Sequence, residues 1–455
     1  MHSHWAQEAV FYHIYPLGFC GAPKRNDFAS PPQPRLDLVR AWIPHLVSLG
    51  VNALYLGPLF ESSAHGYDTA DYFQVDRRLG TDETLAQLVR ALHENGIRVV
   101  LDGVFNHVGR DFRAFRDVIQ RRQESPYRDW FKGLDFGGRS PYGDPFAYKS
   151  WNGYHDLVEL NHQHPEVRRH LLEAVQHWME AFNIDGLRLD VADSLDLDFQ
   201  KELAALCRFL HPDFWLMGEV IQGDYRRWAN PETLNSVTNY EAYKGLYSSH
   251  VDKNYFEIAY TLNRQFGEAG IYRDLALYNF ADNHDVNRVA SQLKNQAHLY
   301  PLYCLLFCMP GIPSIYYGSE WGLEGKRTAT SDAALRPRLD LDGLRHNSPQ
   351  PNLPAAIQKL ARIRRNSPAL CHGDYHQLYA SHEQLAFARC TESEKMILLL
   401  NAAEVPARFE FPIPWAEGLQ FTDILNDGET YQAMQGRLQI DLVHPQWGRI
   451  LRSDR

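Results

Sequence analysis

The stretch GLRLDVAD, Gly186 to Asp193, places an arginine and two aspartates in a run that otherwise reads as a buried strand. A buried carboxylate is costly unless it is paired, so Arg188 and Asp190 need a reason to be there. On a strand, residues two apart project to the same side. An adjacent guanidinium keeps a carboxyl ionised, and an ionised carboxylate in a cleft is a suitable nucleophile. The pair is either a structural ion pair or a piece of an active site, and the surrounding chain decides between them.

Outward from this segment, strand-like apolar runs alternate with amphipathic helical ones. The strand candidates are VFYHIYPL, NALYLGPL, IRVVLDGVFNH, DGLRLDVAD, FWLMGEV, NSVTNYEAY, LALYNFADNHD and IPSIYYGSE. Segments such as TLAQLVRALHENG and VRRHLLEAVQHWMEAFN carry the helical period between them and end in Asn or Gly, as helix C-termini often do. Eight strands alternating with helices predict an α/β fold, a parallel (β/α)8 barrel, with a doubly wound sheet as the alternative. The expected barrel comprises residues 1–107 and 165–371. Residues 108–164, with the Gly-, Pro- and aromatic-rich run YRDWFKGLDFGGRSPYGDPFAYKSWNGYHD, are too long for a simple connection and predict an inserted subdomain. From residue 372 to 455, short runs such as LAFARC, KMILLLN, ARFEFPI and RLQIDLV predict an antiparallel β domain.

Composition narrows the function. The 455 residues carry 46 basic and 56 acidic side chains, a net charge of -10, without a basic cluster, so nucleic acid is excluded as a partner. No run approaches the roughly 20 apolar residues of a membrane span, and the N-terminus lacks a signal-peptide pattern. The six cysteines are scattered, and Cys304 and Cys308 sit in an apolar helical run that suggests core packing, not zinc. A reduced, cytoplasmic protein is expected. Aromatic residues make up 13%, which suits sugar faces and ordinary cores alike.

Working residues of a parallel barrel sit at the C-terminal ends of its strands. Those ends carry His107 on the third strand, Arg188 and Asp190 on the fourth, Glu219 on the fifth, and His284 with Asp285 on the seventh. Any one acid there is explained as a helix cap; all of them together are not. Two carboxylates with separated proton affinities are the working parts of glycoside hydrolysis.

The segments DGVFNHVG, GLRLDVAD, MGEV and FADNHD, in this order, resemble the four conserved regions of the α-amylase family of glycoside hydrolases, and the likeness extends over nearly the whole chain. The resemblance implies that Asp190 is the nucleophile, Glu219 the general acid/base, and Asp285 the acid that grips sugar hydroxyls and favours the distorted ring. Arg188 would support Asp190, while His107 and His284 would hydrogen-bond the sugar at the cleavage subsite. HGYDTADYFQVD resembles the family segment after the second strand, with Tyr67 stacked beneath that sugar and Asp68 orienting a neighbouring arginine or hydroxyl. LVELN (Leu157–Asn161) looks closest to the cyclomaltodextrinase, neopullulanase and maltogenic amylase group, with Glu159 in place of that group's Lys and without its N-terminal β-sandwich.

The implied activity is retaining hydrolysis of α-1,4-linked glucose oligosaccharides (maltodextrins, cyclodextrins among them), with an oligosaccharide as the partner. An α-glucan or sucrose-active transglycosylase shares the same acids. A non-catalytic sugar-binding protein and a metal hydrolase built on His107, Asp190, His284 and Asp285 are the readings outside that chemistry, and the latter leaves Glu219 and Tyr67 without a role. No cofactor is expected. Asn106 and Glu159 match positions of the family's calcium ligands, but Ser194 replaces the usual His, so structural calcium is not expected either. The sequence leaves the oligomeric state open.

Overall fold

The computed structural model describes residues 5–426 and 428–453; the terminal residues of the outermost expected domain ranges, 1 and 455, lie outside them. By packing, the chain divides into two compact units. One comprises Ile14–Pro44 and Ala53–Val237; the other comprises the chain up to His13, His45–Asn52 and the chain from Thr238 onward.

All eight expected strands form: β1 (Phe11–Ile14), β2 (Ala53–Leu56), β3 (Arg98–Gly103), β4 (Gly186–Leu189), β5 (Trp215–Gly218), β6 (Ser236–Val237), β7 (Tyr278–Phe280) and β8 (Ile312–Tyr316). In the first unit, β2 to β6 pair in parallel in sequence order. The register runs Tyr55 to Val100, Asp102 to Arg188, Leu189 to Gly218 and Gly218 to Val237. In the second, β8 lies between β1 and β7, again in parallel, with Phe11 opposite Ser314 and Ser314 opposite Phe280. Nearly every residue of these strands is buried, as parallel strands covered on both faces require. This is the strand complement and the helix alternation of a (β/α)8 barrel.

Local signals account for the helices. Asp82–Glu94 starts at a capping box formed by Thr81 and Thr84 and buries Leu85, Leu88, Val89 and Leu92 on one face. Pro165–Phe182 starts on a proline and ends at Asn183 in the left-handed conformation. Every residue of Leu299–Cys308 but Tyr300 is buried, so Cys304 and Cys308 are core thiols, as expected. No helix among the described residues is long and apolar enough to cross a membrane.

Between β3 and Pro165 the chain forms a layer of its own, held by the antiparallel pair His107–Gly109 and Leu157–Glu159. Its core is aromatic, with Phe115 edge-on to Phe131 and Tyr148. From Asp374 onward the strands are antiparallel. A six-stranded sheet carries Ile397, Leu399 and Leu451 inward, and these pack with Phe409, Phe411, Leu438 and Ile440 of the paired strands Ala407–Pro412 and Arg437–Val443. Two sheets sharing one apolar core make the C-terminal domain a β-sandwich.

Candidate active site

Arg188 and Asp190 of GLRLDVAD converge with residues from β3, the end of β5 and the loop after β2. Arg188 lies inside β4, and Asp190 follows its last residue. Arg188 Nη1 donates to Asp190 Oδ1 at 2.9 Å and to both oxygens of Asp102 at 2.9 and 3.1 Å. Its Nη2 meets Glu219 Oε2, one residue past β5, at 2.8 Å. One buried guanidinium therefore serves three carboxylates. Burial opposes its charge, but Asp102 and Glu219 overcome that and hold its proton well above the ordinary range.

Asp102 was not singled out from the sequence, although it anchors the cluster. It also accepts hydrogen bonds from Tyr55 at 2.7 Å and Tyr67 at 3.0 Å, which fixes the Tyr67 ring 5.9 Å from the Arg188 guanidinium carbon. The available signal was an acid in the buried strand RVVLDG, the same anomaly that drew attention to Arg188 and Asp190. Val191 N–H donates to Glu219 Oε2 at 3.0 Å.

His107 is not at the end of β3. The strand stops at Gly103, and His107 opens the short antiparallel ladder of the inserted layer, opposite Glu159. Its Nε2 lies 3.8 Å from Asp190 Oδ2. Burial pushes the imidazole down to about 3, so at neutral pH it is an uncharged hydrogen-bonding group and this contact is not an ion pair. Trp151, from the aromatic-rich run, packs its ring 5.7 Å from His107. Asp68 is also buried but makes its hydrogen bonds within its own loop, accepting from His65 N at 3.0 Å and Gly66 N at 3.1 Å. It lines a cavity of about 330 Å³ with Arg25, Ser63, Arg110 and Asp111, and burial raises its carboxyl against the opposing influence of His65.

His284 and Asp285 form a second cluster, in the other unit. Asp285 Oδ2 is 3.0 Å from His284 Nε2, and Oδ1 accepts from Arg336 Nη2 at 3.0 Å. Arg336 Nε also donates to the His284 carbonyl at 3.0 Å, so one guanidinium fixes both the backbone and the carboxylate of the pair. The His284 ring lies edge-on to His13 at 5.2 Å. Arg336 and His13 had no motif to mark them; their partners are distant in sequence. Within the first unit the structure gathers Tyr67, His107, Arg188, Asp190 and Glu219, and within the second it pairs His284 with Asp285.

Around Glu159, Lys149 and Lys132 lie at 3.2 and 3.6 Å. Among the described residues no group of three His, Cys, Asp or Glu side chains is placed to hold a metal ion.

Residues 36–346 match the model of the alpha amylase catalytic domain, and residues 375–446 match that of the neopullulanase-like C-terminal domain. The chain is 32% identical to a cyclomaltodextrinase of Bacillus sp over 420 residues, 87% of this chain and 73% of that protein. It is 32% identical to neopullulanase 2 of Thermoactinomyces vulgaris over 484 residues, covering 99% and 78%. An intracellular maltogenic amylase of Bacillus subtilis is 28% identical, covering 88% and 69%. Among solved structures, the cyclic alpha-maltosyl-(1-->6)-maltose hydrolase of Arthrobacter globiformis, in complex with that sugar, superposes with a TM-score of 0.82 at 27% identity and coverage of 98% and 99%.

Proposed function

This chain belongs to the α-amylase family of glycosidases, and from that premise we propose that it hydrolyses α-1,4-linked glucose oligosaccharides, maltodextrins and cyclodextrins among them, with retention of configuration. The observation that carries the proposal is the single guanidinium of Arg188 held between Asp190 and Glu219 at 2.9 and 2.8 Å. Spanning two carboxylates with one such group keeps them close, as double displacement requires at about 5–5.5 Å.

In the first step, an oxygen of Asp190 forms a bond to the anomeric carbon as the glycosidic bond breaks, and Glu219 gives its proton to the departing oxygen. In the second, Glu219 takes a proton from water, whose oxygen displaces Asp190. Arg188 remains charged throughout and keeps Asp190 anionic while it is free. Tyr67 offers its ring to the sugar, neutral His107 and His284 offer hydrogen bonds, and Asp285 binds hydroxyls of the distorted ring. Asp68 acts through the loop that carries Tyr67.

We propose further that structural calcium is not required. Glu159, one carboxylate the family pattern offers, is flanked by two ammonium groups that compete with a dication. Asn106 Oδ1 is buried without a hydrogen-bond partner, but it is one neutral oxygen where calcium needs six to eight ligands. A cytoplasmic location is supported by the intracellular maltogenic amylase among the relatives. The mechanism is tested by proton NMR during the first minutes of maltotriose hydrolysis. The α-anomer should appear first, and an initial β-anomer would overturn the double displacement.

A further inference from the structure

The turn after Asp190 adopts a conformation that its sequence disfavours. Val191 has φ +40°, a left-handed value that a β-branched residue adopts only under constraint. Such strain persists where the surroundings over-determine it, and it clusters at functional sites. Here the constraint has identifiable parts. Gln200, fully buried on the helix Leu197–Leu210, donates from Nε2 to the carbonyl of Ala192 at 2.8 Å and to that of Leu195 at 3.1 Å. Ser194 N–H returns to the Val191 carbonyl at 2.9 Å. Ala192 presses against β5 where Gly218 has no side chain; a Cβ at 218 would lie 2.7 Å from the Ala192 methyl.

The fit has a direction. It points the Val191 N–H at Glu219 Oε2, 3.0 Å away, and Arg188 Nη2 reaches the same oxygen at 2.8 Å. Gln200 Oε1, meanwhile, is buried without a hydrogen-bond partner. A residue that only filled this core position would be apolar, so the amide is present for its two donated bonds.

We propose that Gln200 is a positioning residue for proton transfer: it clamps the turn after Asp190 so that the Val191 amide and Arg188 reserve Glu219 Oε2 as an acceptor, and the proton given to the leaving sugar is carried on Oε1. This rests on Glu219 being the acid/base. A proton on Oε2 would confront two N–H donors, whereas a carboxylate formed by loss of the Oε1 proton finds both donors already in place. In glycosylation the Oε1–H bond breaks as the hydroxyl of the leaving sugar forms. In the return step Oε1 takes the proton of the attacking water.

The test compares Gln200→Met, which keeps the length and loses the donors, with Glu219→Gln, using kcat/KM on maltotriose and on α-maltosyl fluoride, whose departing group needs little protonation. Glu219→Gln should lose at least about 10²-fold on maltotriose and far less on the fluoride. Gln200→Met should show the same selectivity at smaller scale, about tenfold on maltotriose and within about threefold on the fluoride, with KM little changed. If Gln200→Met does not fold, Gln200→Asn carries the test, because its amide is one methylene short of both carbonyls. No loss, or equal losses on the two substrates, in the Gln200 variant while Glu219→Gln keeps its selectivity would overturn the positioning role alone. Equal losses in Glu219→Gln would overturn the acid/base assignment, and the positioning role with it.

Discussion

Replacing Asp102 by Asn tests how the site's charge is held. Asp102 is buried and receives four donated hydrogen bonds: two from Arg188 at 2.9 and 3.1 Å, one from Tyr55 at 2.7 Å and one from Tyr67 at 3.0 Å. Asparagine keeps one acceptor oxygen and turns an N–H2 group toward the remaining donors, so at least one donor loses its acceptor. Hydrogen bonds to charged groups contribute about 1.5–3 kcal/mol each, and breaking a buried ion pair costs about 3–5 kcal/mol. Arg188 retains two of its three carboxylates, so we place the loss of stability near the lower end, about 3 kcal/mol. The catalytic loss has two origins. A guanidinium relieved of Asp102 is drawn more tightly to Asp190 and Glu219, which makes Asp190 a weaker nucleophile, and Tyr67 loses the tether that orients its ring. Together they should lower kcat/KM on maltotriose by about 10²-fold, equivalent to about 2.7 kcal/mol of transition-state stabilisation. Urea unfolding and initial-rate kinetics measure the two effects separately. If Tyr67 acts through Asp102, adding Tyr67→Phe to the Asp102→Asn variant should cost less than it does in the wild type. A variant within about threefold of wild type and equally stable would refute the view that three carboxylates share one charge.

Asp190→Asn should fold and lose about 10³-fold or more in kcat, since an amide cannot attack the anomeric carbon; residual activity above about a tenth would remove Asp190 from the nucleophile's role. Excess EGTA should leave the melting temperature and maltotriose hydrolysis unchanged, and a melting temperature that falls and recovers on adding calcium would show that a calcium site exists. Acid should destabilise the fold in a defined window. Burial holds His107 and His250 down to about 3 and His162 to about 4, whereas an unfolded histidine takes its proton near 6.5. Their neutral burial therefore stabilises fully above about pH 6.5 and is lost progressively as pH falls toward 3, because the unfolded chain binds more protons there. His250 bonds the Leu246 carbonyl and Tyr255; His250→Gln should make the fall of melting temperature with acid shallower, and an unchanged slope would mean that His250 does not titrate on unfolding.

Sequence alone determines the parallel strands, the intervening helices and the antiparallel C-terminal sheets, because periodicity and helix-ending and turn residues act over a few positions. The helical period of TLAQLVRALHENG, which sets Leu85, Leu88 and Leu92 on one face, lies entirely within residues 84 to 96. The short segments around Arg188, Glu219 and Asp285 were equally legible, since each carries its polar anomaly within a local apolar run. What the sequence could not disclose is which groups share a charge. Arg188 meets Asp102, 86 positions earlier, as closely as it meets Asp190, two positions later. His107 lies outside the strand expected to hold it, because it pairs with Glu159, a partner 52 positions later near the far end of the inserted layer. Arg336 clasping Asp285 and Gln200 clamping the Ala192 turn are likewise products of packing. Pairing a buried charge or satisfying a buried carbonyl is decided by distance in space, and only the folded backbone sets that distance.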